Sequence, residues 1–210
     1  DANFQGIMPV RGKIINCIKN DLSSVLNSEI IIDLLRVLGC GIEAKSEHIK
    51  DLPKFDINKL QWGKIIICTD ADIDGQQIRC LIITMLYVLC PTLLKERKVY
   101  IAETPLFEIL HKKNHYFAYT EEEKEKILND LHNDGVKDSQ IKVNRSKGLG
   151  ENDPEMMNES TMNPMTRRLV PVEYPDDDSN VLDTFNMLLG SDIESRKMIV
   201  EHYFKITNTL

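Results

Sequence analysis

The chain has 210 residues, with 26 Lys and Arg against 33 Asp and Glu and a formal net charge of −7. This length permits one sizeable domain or a domain with an appendage, and the acidic balance argues against a free-standing DNA binder that works by bulk charge. The five cysteines form no C-x-x-C pair and several fall in apolar runs, which favours buried reduced thiols in a cytoplasmic protein. No apolar stretch of the sequence is long enough to cross a membrane.

The first half of the chain alternates short apolar runs with helical patterns, which is typical of a βαβ arrangement. Residues 8–15 are strand-like, and Ser28 is placed to cap a helix that ends at Gly39. Further strands are predicted over 64–69 and 99–102, with a helix between them over 76–90. We therefore expect an α/β fold with parallel strand pairing.

The second half has a different pattern, in which helical signals dominate. Residues 116–119 predict an edge strand, and Thr120 with Glu123 predicts a capping box that opens a charged helix ending near His132. Later helices are predicted to begin at Asp153 with Pro154, at Ser179 and at Ser191 with Glu194.

The acidic segment after the second predicted strand carries the clearest chemical signal. Three carboxylates, Asp70, Asp72 and Asp74, follow the apolar run and precede Gly75. The carboxyl end of a buried parallel strand is where open α/β sheets bind ligands. Ionised carboxylates a few ångströms apart repel by about 1 kcal/mol or more per pair at intermediate dielectric, which either raises the pKa of one carboxyl or recruits a divalent cation. Ligands that are all oxygen indicate Mg²⁺ rather than zinc.

Several interpretations of this segment compete. An EF-hand is excluded, because Leu81 occupies the position of the bidentate glutamate and a strand-like run precedes Asp70. A phosphatase of the haloacid dehalogenase type stays open, although that family expects Thr or Val where this chain has Asp74. A solvated acidic turn in which Asp74 caps the next helix accounts for Asp74 but not for its two neighbours. The fourth interpretation is a metal-binding cluster.

Four further segments lie around this cluster, at residues 4–16, 38–42, 99–106 and 145–151, and read FQGIMPVRGKIIN, LGCGI, VYIAETPL and RSKGLGE. Each resembles a block of the B subunits of the bacterial type IIA topoisomerases, gyrase and topoisomerase IV, in which the blocks have the same order. Each is a modest signal alone, but with the acidic cluster they form five ordered blocks between residues 4 and 151. The chain resembles that family, and its cluster resembles the family's Toprim motif.

The resemblance implies an α/β fold, with a Toprim-type parallel sheet flanked by helices over 1–110 and a mostly helical carboxyl-terminal tail packed on it over 111–210. The family's E-G-D-S-A motif, with its catalytic glutamate on the first strand, has no counterpart here. We therefore expect a fragment of a longer subunit, inactive alone, with ATP bound only by the missing amino-terminal region.

The resemblance also implies a function and a site. The function is ATP-dependent double-strand passage, supercoiling or decatenation, by a tetramer of two A and two B subunits on duplex DNA, in which a tyrosine of the A subunit attacks the phosphodiester. Asp70 and Asp72 are expected to hold Mg²⁺, and Asp74 to bind it directly, through water, or to cap the helix. DNA contacts are expected from a first block, residues 4–16, and a second block, residues 145–151. The plainer interpretation is solvated charge in the first block and a glycine-rich turn in the second. The residues expected to make the contacts are Arg11, Lys13, Asn16, Arg145, Lys147, Gly148 and Gly150.

Overall fold

The computed structural model of the chain describes residues 2–44, 53–146 and 148–207. Its α-helices, in chain order, are α1 Leu22–Leu26, α2 Glu29–Leu38, α3 Ile73–Leu89, α4 Pro91–Lys95, α5 Glu121–Asn133, α6 Pro154–Met157, α7 Val181–Leu189 and α8 Ile193–Thr207. A π-helix, Asn158–Met162, continues from α6. Single 3₁₀ turns are Ile57–Lys59, Asp138–Gln140 and Leu149–Glu151.

The strands are short and all fall between residues 65 and 171 in the described part of the chain. They are β1 Ile65–Ile67, β2 Val99–Ala102, β3 Phe107–His111, β4 Asn114–Ala118, β5 Ile141–Arg145 and β6 Leu169–Pro171. The carboxyl-terminal region is thus largely helical, as predicted. It also contributes β5 and β6, which the sequence patterns did not indicate.

The chain divides into two compact units, each assembled from separate stretches of sequence. The helical unit comprises residues 1–63, 80–98 and 173–210, and the sheet unit comprises residues 64–79 and 99–172. Helix α3 begins in the sheet unit and continues into the helical unit. The six strands named above all belong to the sheet unit, and so do the three aspartates that follow β1.

In the helical unit, α2 shows how local sequence determines an element. Ser28 occupies the N-cap position, as predicted, but its hydroxyl accepts no capping hydrogen bond. Gly39 ends the helix with a left-handed φ of 74°, as predicted. Ile31, Leu35 and Leu38 recur at helical spacing and are buried, while the opposite face is polar. Their spacing buries one stripe, which stabilises a helix too short to be stable alone.

The predicted strand over residues 8–15 is wrong. This segment has no regular secondary structure. Pro9 has no backbone N–H to donate to a ladder, and Gly12 has a left-handed φ of 76°, which a strand cannot accommodate. Apolar alternation favoured a strand here, but these two residues interrupt the extended backbone.

The cysteines are only partly as predicted. Cys17, Cys40 and Cys90 are buried, whereas Cys68 and Cys80 are exposed. Cys68 follows the last residue of β1, and Cys80 lies on an exposed position of the 17-residue helix α3. None of the helices in the described residues combines the length and apolarity that a bilayer crossing requires.

The first sheet of the sheet unit has the order β1-β2-β6. Strands β1 and β2 are parallel, with Ile67 opposite Ile101. Strand β6 runs antiparallel to β2, with Val170 opposite Ile101. Parallel pairing of β1 and β2 confirms the predicted α/β class, and β6 supplies an antiparallel edge.

The second sheet has β3 at its centre, with antiparallel β4 and β5 on either side. The predicted edge strand near residues 116–119 is confirmed as β4 and pairs with β3 in a hairpin. Phe107, Ile109 and Ala118 form a buried cluster with Leu131 of α5. Ile141, the first residue of β5, packs against this cluster, and pairing with β3 continues to Arg145 at the start of the glycine-rich block.

Helix α5 begins as predicted, with one change of partner. The Thr120 hydroxyl accepts the N–H of Glu123 at 3.1 Å, while the Glu123 carboxylate accepts the N–H of Tyr119 rather than that of Thr120. Hydrogen bonds from Arg168 and then Tyr119 lower the pKa of Glu123. Its contribution to stability is therefore present above the pKa of an unfolded glutamate and is lost as the pH falls through the folded value.

Replacing Thr120 by alanine is expected to lower the free energy of unfolding by about 1 kcal/mol, because the N–H of Glu123 loses its acceptor. Urea denaturation measures the change. Thr120→Ser keeps the hydroxyl and is expected to retain most of that stability. Equal losses in the two variants would contradict the role of the cap.

Candidate metal centre

The turn after β1 positions the three aspartates through backbone hydrogen bonds. Asp72 precedes the first residue of α3, and its Oδ1 accepts the N–H of Gly75 at 2.7 Å. The N–H of Gln76 donates to the carbonyl oxygen of Asp72 at 3.0 Å, which is the first turn of the helix. Asp72 is therefore the N-cap residue, and the prediction that Asp74 caps this helix is wrong. Helix α3 also begins three residues earlier than predicted, at Ile73.

Asp74 instead lies in the first turn of α3, where it is exposed. A negative side chain at this end interacts favourably with the helix dipole and with the unsatisfied N–H groups there. Asp72 is exposed and Asp70 is half-buried. The three carboxylates thus occupy one turn but have different surroundings.

The Asp70 carboxylate contacts the glycine-rich block, which lies far away in sequence. Its Oδ1 accepts the N–H of Leu149 at 2.7 Å. A Cβ at Gly148 would lie 3.3 Å from Asp70 Oδ2, so the backbone passes directly beside the carboxylate. A cavity of about 10 Å³ lies here, lined in part by Asp70, Thr104, Ser146 and Gly148. This volume is about that of a single water or small ion.

Gly75 allows α3 to begin close against the end of β1. It is buried, and a Cβ there would lie 2.1 Å from the carbonyl oxygen of Asp70. No side chain fits at that distance from a backbone atom. The glycine that follows the three aspartates is therefore required by close packing of the turn.

The donor set of this turn fits a hydrated magnesium ion. In the described residues, no three His, Cys, Asp or Glu side chains are grouped closely enough to enclose a metal by themselves. Mg²⁺ usually takes only one or two carboxylates directly and keeps several waters, so such an enclosure is not required. A carboxylate has about four lone-pair sites. The N–H of Leu149 uses one site of Asp70 and the N–H of Gly75 uses one site of Asp72, so each carboxylate keeps other sites that could accept from water or bind a cation.

The predicted DNA-contacting residues of the second block lie in the sheet unit with Asp70. Arg145 ends β5, is exposed, and stands 5.8 Å from the centre of the Phe107 ring, over which Lys124 lies at 4.7 Å. Gly148 is half-buried against Asp70, and Gly150 is exposed with open space where a Cβ would be. Lys147 lies outside the described residues. The structure thus brings Gly148 to Asp70, which sequence patterns placed in separate motifs.

The predicted DNA-contacting residues of the first block lie in the helical unit. Arg11 and Lys13 are exposed on either side of Gly12. Asn16 is half-buried: its Oδ1 accepts the N–H of Ile18 at 2.9 Å, and its Nδ2 donates to the carbonyl oxygen of Leu189 at 2.8 Å. Its Nδ2 has a second hydrogen that could donate to a phosphate, and Arg11 is exposed to solvent.

Comparison with known proteins supplies two family matches along the chain. A sequence model of the Toprim domain matches residues 1–104. A model described as the carboxyl terminus of the DNA gyrase B subunit matches residues 138–201. Neither describes a phosphatase of the haloacid dehalogenase type. The two matches follow the order of the resemblance seen in the sequence.

Curated relatives match over nearly the whole chain. The DNA gyrase B subunit of Metamycoplasma hominis is 39% identical over 211 residues, covering 100% of this chain and 30% of the relative. The protein of the same name from Clostridium acetobutylicum is 40% identical over 209 residues, covering 99% and 31%. That from Archaeoglobus fulgidus is 37% identical over 209 residues, covering 99% and 30%. The chain thus spans about 30% of the length of these relatives.

Proposed function

Since the chain belongs to the DNA gyrase B family of type IIA topoisomerases, we propose that it supplies the magnesium-binding part of a DNA cleavage and religation centre. The observation that carries this proposal is the contact between Asp70 and the backbone of Gly148 and Leu149. It joins an acidic strand end to a loop rich in glycine and flanked by cationic residues. A metal beside a loop whose backbone N–H groups could approach phosphate would suit cleavage of a phosphodiester.

Asp70 and Asp72 are the residues that would hold Mg²⁺, and Asp74 would hold a coordinated water. The chemistry supplied by bound Mg²⁺ is Lewis-acid stabilisation of charge on the scissile phosphate and on the leaving 3′ oxygen. The N–H of Leu149 fixes one oxygen of Asp70, so the carboxylate is oriented before any ligand arrives. Such preorganisation avoids reorganisation during the reaction.

DNA is contacted in this proposal by backbone and cationic side chains, which read phosphates rather than bases. Arg145, Lys147, Gly148 and Gly150 would form one strip, and Arg11 and Lys13 another on the helical unit. With a net charge of −7, the chain alone is expected to bind DNA weakly, and binding falls as salt rises. Local strips, not bulk charge, provide the contact.

The complete reaction needs groups that this chain does not contain. The attacking tyrosine would come from an A subunit, within a tetramer of two A and two B subunits, and ATP would bind outside this sequence. The resulting activity is ATP-dependent double-strand passage in the cytoplasm, where the DNA lies. Supercoiling is the expected form, because the matched relatives are named as B subunits of gyrase.

Removal of magnesium tests the proposal. A complete B subunit carrying this sequence, mixed with its A subunit, is expected to cleave supercoiled plasmid with Mg²⁺ and to stop when EDTA is added, because the carboxylates then have no metal to hold. Restoring Mg²⁺ restores the linear product on a gel. Cleavage that continues in EDTA would refute the proposed metal role.

The competing functions give different outcomes in the same preparation. A phosphatase hydrolyses a small phosphoester without any A subunit, since it carries its own nucleophile. A non-catalytic binding module binds DNA or a partner equally well with and without Mg²⁺, and substitution of Asp70 leaves that binding unchanged. Either result would count against a cleavage centre.

A further inference from the structure

The loop between β5 and α6 is closed by a side-chain hydrogen bond at its base. The Ser146 hydroxyl donates to Oδ1 of Asn152 at 2.8 Å. The N–H of Ser146 also donates to the carbonyl oxygen of Leu106 at 2.9 Å, and Nδ2 of Asn152 donates to the sulfur of Met157 at 3.6 Å. Both ends of the loop are thus tied to each other and to neighbouring elements of the sheet unit.

The tip of the same loop holds the Asp70 carboxylate. The N–H of Leu149 donates to Asp70 Oδ1 at 2.7 Å, and the N–H of Asn152 donates to the carbonyl oxygen of Leu149 at 3.4 Å. Asn152 therefore makes two contacts within the loop: its backbone N–H bonds to Leu149 at the tip, and its side chain bonds to Ser146 at the base. Ser146 also lines the cavity beside Asp70.

We propose that Asn152, acting with Ser146, is a positioning residue that orients the Asp70 carboxylate for its ligand. The proposal rests on the function assigned to Asp70 above. Leu149 can donate to Asp70 only while the loop holds its present curvature, and the Ser146–Asn152 bond fixes that curvature. A carboxylate held by such a donor presents its remaining lone pairs in one direction. Loss of similar outer contacts typically weakens metal binding about 10- to 100-fold.

The test compares variants of a complete gyrase B subunit carrying this sequence. Asn152→Ala removes the acceptor for Ser146, and Ser146→Ala removes only the hydroxyl. Asn152→Asp keeps Oδ1 as an acceptor, loses the donor to Met157 and adds a negative charge, which would favour rather than oppose a bound cation. Asn158→Ala is the matched control, because Asn158 is exposed on the neighbouring π-helix.

Binding of Mn²⁺ as a paramagnetic substitute for Mg²⁺, followed by electron paramagnetic resonance without DNA, is the first readout. We expect Asn152→Ala and Ser146→Ala to weaken Mn²⁺ binding about 10-fold. Asn158→Ala is expected to stay within about twofold of the parent, and Asn152→Asp to bind no more weakly than the parent. The double variant Ser146→Ala with Asn152→Ala is expected to bind Mn²⁺ no more weakly than Asn152→Ala alone, because both substitutions remove the same hydrogen bond.

The rate of amide hydrogen exchange at Leu149 is expected to rise in Asn152→Ala and in Ser146→Ala.

With the A subunit and DNA, the Mg²⁺ concentration for half-maximal cleavage is expected to rise by the same factor, while cleavage at saturating Mg²⁺ changes little. A merely structural role lowers the melting temperature without shifting the metal dependence. Parent-like Mn²⁺ binding by Asn152→Ala, together with weakened binding by Asp70→Asn, overturns the positioning role alone. Parent-like binding by Asp70→Asn overturns the proposed function as well. If Asn152→Ala does not fold, Ser146→Ala decides by the same criteria.

Discussion

Replacing Asp70 by asparagine in a complete B subunit is expected to reduce Mg²⁺-dependent DNA cleavage at least about 100-fold, which exceeds the usual effect of changing an outer contact. Asparagine has nearly the same shape and keeps an Oδ1 acceptor for the N–H of Leu149. It removes the negative charge and one ligand oxygen. The loop therefore stays in place while the proposed metal ligand is lost.

The measurement is the amount of linear plasmid formed with the A subunit over a series of Mg²⁺ concentrations. Asp70→Ala should lose cleavage to the same extent and should also free the Leu149 amide to exchange, which separates the anchoring role from the charge. Asp130→Asn is the control, because Asp130 is exposed on α5. Normal cleavage by Asp70→Asn at the usual Mg²⁺ concentration would contradict the metal role of Asp70.

Elements set by local chemistry could be predicted from the sequence. Helix α2 starts after Ser28 and ends at Gly39, and α5 begins with the Thr120 cap. Each of these signals acts over three or four residues, so the surrounding fold need not be known. Strand β2 has its predicted bounds for a similar reason, since a short apolar run ends there in polar residues.

Choices between similar neighbours could not be made from the sequence. Asp72 and Asp74 are equally good N-cap residues by type, and only the close approach of Gly75 to the end of β1 selects Asp72. Strand β6 has three residues, one of them proline, and exists because β2 offers it a free edge. Such elements depend on partners that no local pattern specifies.

In the candidate site, too, local motifs could be identified from the sequence, whereas the contact between them could not. The sequence identified Asp70 and the glycine-rich block separately, each by its own motif. Their contact joins residues 79 positions apart, and its donor is the backbone N–H of Leu149, which any residue type except proline provides. No side-chain pattern could have indicated it. The glycine at 148 was the available signal, because a missing Cβ permits close approach.

Replacing Gly75 by alanine is expected to destabilise the sheet unit by about 3 kcal/mol, near the upper end for forced overpacking. The added Cβ would lie 2.1 Å from the carbonyl oxygen of Asp70, a backbone atom that no change of rotamer can move. The start of α3 must shift, and the N–H of Gly75 then leaves Oδ1 of Asp72. Thermal and urea unfolding measure the loss.

Helix propensity alone predicts that Gly75→Ala raises the free energy of unfolding, which is the opposite of the expected result. Alanine inside a helix is more favourable than glycine by about 1 kcal/mol, so a position without close neighbours should be stabilised. Gly150→Ala is the stability control, because no heavy atom lies within 4 Å of a Cβ there and the residue belongs to the same unit. Its unfolding free energy is expected to be unchanged or raised by up to about 1 kcal/mol. If Gly75→Ala raised stability, the close approach of α3 to the end of β1 would be wrong, and with it the orientation of Asp70 towards the loop.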